Sequence, residues 1–229
     1  MEAHHLTSPY DECLERRHRA AEAAARVIEI VVALLVLVFL APLLLAIALA
    51  VRLDSSGPTL FRQRRLGHER RPFTVFKFRT MSAGADHSTH QQYVNELIAQ
   101  GRDCTSAAQQ QGLYKIAGDP RVTRVGSLLR RWSLDELPQL WNVVRGDMSL
   151  VGPRPVVPYE TERYPAWYHE RFTVKPGLTG LWQVSGRNQR TYEEMVRLDI
   201  EYAGRRSLRL DLVILIKTVW VVLSRRGVA

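Results

Sequence analysis

Two adjacent carboxylates, Asp135 and Glu136, stand in Ser-Leu-Asp-Glu-Leu-Pro-Gln-Leu-Trp-Asn and are followed by Gly152-Pro153-Arg154-Pro155. Arg121, Arg124, Arg130 and Arg131 precede the pair, and Arg145 and Arg154 follow it. Acids in a cationic setting suit phosphate chemistry. Guanidinium forks bind phosphoryl oxygens in pairs. An ionised carboxylate attacking phosphorus gives an acyl-phosphate, which splits one transfer into two steps with different acceptors. Asp135 is the candidate nucleophile, and Glu136 with Asp135 is a candidate ligand set for Mg²⁺, a hard cation usually held through one or two carboxylates plus substrate phosphate oxygens.

A structural account of the same residues stands beside the chemical one. Ser133-x-x-Glu136 fits a capping box, with Ser133 as N-cap of a helix running through Trp141 and Val144 and Asp135 as a first-turn acid. The two remain open together, because a helix N-terminus also holds phosphoryl oxygens. Arg154 is the leading phosphate-binding candidate, in a loop that its prolines stiffen. Arg131, Arg124, Lys77, Arg79 and Arg187 are the further ones. The run Lys175 to Asn188 contains Gly177, Gly180 and Gly186 among polar and aromatic residues. It reads either as backbone that approaches a nucleotide or sugar closely, or as a tight loop with Trp182 plugged into the core. Val75 to Met81 alternates cations with aromatics, as a binding strand or as an interfacial strand whose Lys and Arg snorkel.

The elements that must hold these groups are legible in outline. The uncharged run Ile30 to Val51 spans 22 residues, enough for a helix to cross the roughly 20-residue hydrocarbon core. It starts late and is too long for a signal-peptide core, so it is expected to be retained. Arg16, Arg17, Arg19 and Arg26 precede it, and Arg52, Arg62, Arg64, Arg65, Arg70 and Arg71 follow. Arginines on both flanks favour both in the cytoplasm, and Pro42 is expected to kink the helix by removing one backbone hydrogen bond. A re-entrant helix bending at Ala41-Pro42 satisfies both features; a kinked span is the alternative. Beyond a turn at Asp54 to Pro58, Thr59–Leu66 and Pro72–Met81 read as a hairpin. Ser82 to Gly118 reads as a helix around Gln91–Gln100 plus a surface loop without catalytic residues. Arg124–Trp132 and Tyr192–Tyr202 read as helices, and Leu208–Leu223, broken by Asp211 and Lys217, as an interfacial or core helix. Arg225 and Arg226 are placed to meet lipid phosphates.

The expected fold class is therefore mostly α with a short β-hairpin (α+β): a monotopic membrane protein with an N-terminal re-entrant, Pro-kinked helix and interfacial amphipathic helices. Its expected divisions are a polar segment over 1–26, a membrane helix over 27–52 and a cytoplasmic catalytic domain over 53–229. Of 229 residues, 32 are Lys or Arg against 23 Asp or Glu, for a net charge of +9 and a pI of about 10.0. That balance favours anionic lipid, nucleic acid or phosphorylated partners without choosing among them. Cys13 and Cys104 are far apart with no metal-ligand spacing, which sets aside a disulfide framework or zinc site. No Walker loop, dinucleotide fingerprint, HExxH or nucleophile elbow occurs.

Together, Lys77-Phe78-Arg79-Thr80-Met81, Asp119 to Gly126, Ser133 to Pro155, Lys175 to Gly186 and the Pro-containing apolar run closely resemble the bacterial sugar transferases, the monotopic polyprenyl-phosphate hexose-1-phosphate transferases. The resemblance covers nearly everything after Arg26. It implies transfer of a sugar 1-phosphate from a UDP-sugar to undecaprenyl phosphate with release of UMP, the first step of a surface polysaccharide. It also implies Asp135 as nucleophile and Glu136 as its Mg²⁺-associated partner, at the bacterial inner membrane with the catalytic domain on the cytoplasmic face. Where the family commonly has Ser before the helix-breaking proline, this chain has Ala41, and the several N-terminal transmembrane helices of larger members are not expected. The implied partners are a UDP-sugar donor, the polyprenyl phosphate acceptor and inner-membrane lipids. Nucleic acid is not among them, and a homodimer is left open. Two competing classes are a non-catalytic basic protein of the membrane surface and a conventional glycosyltransferase releasing UDP.

Overall fold

The computed structural model describes residues 9–82, 84, 98, 119–186 and 190–224, with backbone alone for 9–15 and 17–19. Arg187, Cys104, Arg225, Arg226 and all but Ile98 of the helix expected around Gln91–Gln100 lie outside them.

Helix α1 runs over Pro9–Asp54. Its Ala-, Leu-, Val- and Ile-rich interior favours helix, and it continues through Pro42 without interruption. It is long and apolar enough to cross a membrane. Two stretches of α1 are tied to the rest of the protein. Near its start, Arg26 donates through Nη1 to the carbonyl of Met148 at 3.1 Å and through Nη2 to that of Val143, while Glu29 Oε1 accepts from the Leu150 amide at 3.3 Å. At its end, Asp54 Oδ2 accepts from the Val125 amide at 3.0 Å. Between these, Val38 and Phe39 are 73% and 82% exposed.

Strands β1 (Leu60–Leu66) and β2 (Pro72–Phe78) form the expected hairpin, antiparallel with Leu60 opposite Phe78 and Leu66 opposite Pro72. Glu69 and Arg70 take positive φ in its turn. Val75 is buried with Leu140, Val143 and Met148 in one cluster, and Phe78 with Ile47, Val51 and Leu129 in a second. Two short helices, α2 (Arg124–Arg131) and α3 (Gln139–Arg145), pack directly against α1, and β2 joins them through these two clusters. Thr123 caps α2 by accepting from the Gly126 amide at 3.0 Å. Gly126 lies so close to β2's exit that a Cβ there would stand 2.2 Å from the Thr80 carbonyl oxygen. Asn142, fully buried in α3, donates to the Thr74 carbonyl at 2.7 Å and accepts from the Phe76 amide at 3.2 Å. A buried amide needs such partners, so these bonds fix α3 against β2.

A second, parallel pair joins β3 (Ser149–Val151) to β4 (Gly177–Thr179), with Ser149 opposite Gly177 and Val151 opposite Thr179. Three helices follow among the described residues: α4 (Leu181–Val184), α5 (Tyr192–Arg205) and α6 (Leu208–Ser224). A 3.6-residue period puts Met195, Leu198 and Tyr202 on one stripe of α5, where Met195 and Tyr202 are buried and Leu198 is half-buried. Helix α6 buries Ile214 but exposes Leu212, Ile216, Val219, Trp220 and Leu223, which is the pattern of an interfacial helix. The protein is thus mostly helical with two small sheets.

Candidate active site

Asp135 and Glu136 occupy a single 3-10 turn, Leu134–Glu136, and the helix expected from Ser133 through Val144 begins only at Gln139. Ser133 is left-handed, with φ 56°, and its side chain caps nothing. Pro138, which has no N–H to donate back into the preceding turn, stands immediately before that start at Gln139. The capping box is therefore absent here. It occurs instead at α5, where Thr191 Oγ1 accepts from the Glu194 amide at 3.2 Å and the Thr191 amide donates to Glu194 Oε2 at 2.9 Å.

Released from capping, the Glu136 side chain reaches β2. Lys77 Nζ donates to Glu136 Oε1 at 2.8 Å, and Arg154 Nη1 lies 3.8 Å from the same oxygen. Lys77, Glu136 and Arg154 are each 17–18% exposed, so the group is accessible but largely out of water. Asp135 is 5% exposed. Its charge acts on Lys77 and on Arg130, whose Nε donates to Thr80 Oγ1 at 2.9 Å. Burial lowers the Lys77 ammonium below the usual lysine value; Glu136 opposes that, and Arg154 adds to it. A shallow cleft opens beside Lys77, Glu136 and Arg154, lined also by Arg65, Val75, Gln139, Pro155, Gly177, Leu178 and Gln183; Asp135 and Arg130 lie outside that lining.

The other expected arginines lie elsewhere. Arg79 is buried and donates to the carbonyls of Ser56 at 2.6 Å, Ser55 at 2.7 Å and Val51 at 3.3 Å, where it holds the C-terminal end of α1. Those carbonyls have no partner within a helix that is ending, and a guanidinium fork satisfies several at once. Arg124 is exposed on α2, beside Asp54, and Arg131 is exposed on the same helix. Arg130, four residues after buried Gly126, shares that helix's inner face, bonds Thr80 and lies within the field of Asp135; helical phase is the signal that distinguishes it from Arg131. The glycines of the Lys175 loop approach backbone: a Cβ on Gly177 would stand 2.0 Å from the Gly152 nitrogen, and one on Gly180 2.4 Å from the Gly152 oxygen. Trp182 is buried, the second of the two readings of that loop.

Asp135 and Glu136 supply hard oxygen donors, and no group of three His, Cys, Asp or Glu suited to a metal occurs among the described residues. Two carboxylates fit a cation that completes its shell with water and substrate phosphate. They do not fit a closed structural site.

Fold and cleft together define a helical protein with a long apolar helix and an acid pair among cations at a hairpin's end. The chain matches the bacterial sugar transferase family over residues 20–225, and belongs to it. It is 43% identical over 202 residues to the UDP-galactose-lipid carrier transferase of Erwinia amylovora, covering 88% of this chain and 41% of that one. It is 42% identical over 202 residues to the exopolysaccharide production protein ExoY of Sinorhizobium fredii, covering 88% and 86%. With the UDP-glucose:undecaprenyl-phosphate glucose-1-phosphate transferase of Caulobacter vibrioides it shares 42% over 208 residues, covering 87% and 70%. The chain thus spans less than half the length of some relatives and most of others.

Proposed function

We propose that this protein transfers a hexose 1-phosphate from a UDP-sugar to undecaprenyl phosphate, the initiating step of exopolysaccharide, capsule or O-antigen synthesis. The observation that carries the reading is the cleft lined by Lys77, Glu136 and Arg154, with Asp135 buried next to Glu136 and its charge acting on Lys77 and Arg130. The activities for which the relatives from Erwinia and Caulobacter are named support it.

Asp135 attacks the sugar-side phosphorus of the donor, the bond from that phosphorus to the bridging oxygen breaks, and UMP leaves with the electron pair. An oxygen of the lipid phosphate then attacks the phosphosugar-aspartyl phosphorus, and the carboxylate of Asp135 is released. Lys77, Arg130 and Arg154 bind and orient the diphosphate and offset the charge that develops on its oxygens. Lys77 and Arg154 also hold Glu136 beside the nucleophile. Glu136 and Asp135 would hold Mg²⁺, which when bound neutralises diphosphate charge.

The acceptor's phosphate lies at the headgroup plane, so the cleft must lie there too. We place the protein at the bacterial inner membrane with its body on the cytoplasmic face and α1 re-entrant about Pro42. Support comes from the ties of both Arg26 and Asp54 to one body and from the arginines on both flanks.

The test is nucleotide release from a panel of UDP-sugars by detergent-solubilised protein with Mg²⁺, with and without undecaprenyl phosphate. UMP is expected from wild type and none above background from Asp135→Asn. UDP as product would replace this reading with a conventional glycosyltransferase, and near-normal turnover by Asp135→Asn would remove the covalent route.

A further inference from the structure

The loop that presents Arg154 is held at every carbonyl from Pro153 to Val156. The Gly177 amide donates to Pro153 O at 2.9 Å, Arg171 Nη2 to Arg154 O at 3.3 Å, Arg65 Nη1 to Pro155 O at 2.8 Å and the Leu66 amide to Val156 O at 2.8 Å. One residue on, the Val157 amide donates to Glu160 Oε1 at 3.2 Å. Two of these donors are buried arginines, and Arg171 is the deeper, at 1% exposure. Its partner is Asp199 on α5, fully buried and in contact through Oδ2. Arg171 Nη1 also donates to the Tyr164 hydroxyl at 3.1 Å. That hydroxyl meets Tyr192, whose own hydroxyl donates to Glu160 Oε2 at 2.7 Å. The polar chain thus starts at the amide of Val157 and returns to the carbonyl of Arg154.

A buried ion pair is poor value as a stabilising device, since apolar residues of like volume often serve as well. What this pair adds is a rigid donor at the residue whose guanidinium lies beside Glu136. We infer that the buried Arg171–Asp199 pair is a positioning device for Arg154, setting the height and direction at which its side chain enters the cleft. The inference rests on the proposed reading of that cleft as the site of the donor diphosphate. Neither Arg171 nor Asp199 lines that cleft, so they act through the Arg154 main chain and do not touch substrate. Without the pair the loop keeps its other bonds but loses the one at Arg154 itself, and a small displacement there misaligns a fork that binds in two-point geometry.

The experiment is a double-mutant cycle on the full chain in detergent. Arg171→Lys retains the buried charge against Asp199 but cannot span both the Arg154 carbonyl and the Tyr164 hydroxyl; Arg171→Gln is the second variant. Each is made in the native and the Arg154→Ala background. UMP release, UDP affinity by calorimetry and melting temperature are read for all. If the pair acts through Arg154, Arg171→Lys loses about tenfold in kcat/KM and in UDP affinity in the native background and less than about twofold in the Arg154→Ala background. The melting temperature falls equally in both. Equal fold-losses in the two backgrounds overturn the inference, because the pair would then be merely structural. Coupling in UDP affinity without UMP release by the wild type would uphold the positioning role and overturn the reaction instead.

Discussion

At the scale of single residues, the site is a contest over which arginines face the acids. Arg130 and Arg131 are neighbours in sequence, yet Arg130 bonds Thr80 and feels the Asp135 charge while Arg131 points to solvent. Arg130→Ala is expected to lower kcat/KM for UMP release by about a hundredfold, as removal of one fixed donor to a developing anion does. Arg131→Ala should change it by less than about twofold, because surface substitutions away from such contacts are near neutral. Equal effects of the two would show that helical phase does not select the phosphate-binding arginine. That Asp135, Glu136, Lys77 and Arg154 come together was legible, because each sits in a short motif whose residue types declare a charge role. Arg79 misled for the same reason: its type announces an anion ligand, but its partners are backbone carbonyls at the end of α1, and their lack of a donor is visible only once the helix end has met β2. Arg171 and Asp199 are 28 positions apart and share no motif, so their pairing is a property of the fold.

At the scale of elements, the loop that carries Arg154 is held by the crossing of β3's exit over β4's entry. Gly152 and Gly177 lie at that crossing, where a Cβ on Gly177 would meet the Gly152 nitrogen at 2.0 Å. Gly177→Ala is expected to destabilise the fold by about 3 kcal/mol or more, because backbone must move on both strands to admit the methyl. Thermal unfolding in detergent checks this, and an unchanged midpoint would mean the crossing is pliable. Hairpin and helices were legible from local pattern, since alternation and 3.6-residue periodicity are short-range. The β3–β4 pair was not, because each strand is three residues long and parallel pairing joins segments 28 residues apart. Helix α5 carries a pH dependence into this region. Burial pushes the Asp199 carboxyl up to about 7 from 3.8, against the pull of Arg171 and Arg154. Its folded pKa lies above the unfolded one, so between these values the folded state holds a proton the unfolded chain has released. The associated stability is full below the unfolded value and is lost as pH rises towards 7. The melting temperature of Asp199→Asn should therefore fall less steeply than that of wild type across the acid-to-neutral range, and parallel profiles would sink the assignment.

At the scale of the whole molecule, the question is how an apolar helix and a basic body share one membrane. A straight helix from Arg26 to Asp54 would be about 42 Å long at 1.5 Å per residue, enough to put its ends on opposite sides of a hydrocarbon core about 30 Å thick. Yet Arg26 bonds the end of α3 and Asp54 bonds the start of α2, and both helices belong to the body that packs against α1. Ala33 and Ile214 of α6 share a buried cluster, while Val38, Phe39, Leu45 and Leu49 of α1 and Ile216, Val219 and Trp220 of α6 present apolar surface outward. That surface has no protein covering it among the described residues, and a lipid leaflet suits it. A body carrying Lys77, Arg130, Arg154 and their acids cannot follow α1 through hydrocarbon at tolerable cost. Both flanks should then lie on one side. With Cys13 and Cys104 replaced by Ser, single cysteines at Glu22 and Ser127, both exposed, are expected to react with a membrane-impermeant maleimide in inverted vesicles and to be protected in intact cells. Labelling of Glu22→Cys from outside with Ser127→Cys still protected would establish a span. The ties at Arg26 and Asp54 could then not exist together in the membrane, and the cleft's place at the headgroup plane would rest on α6 alone.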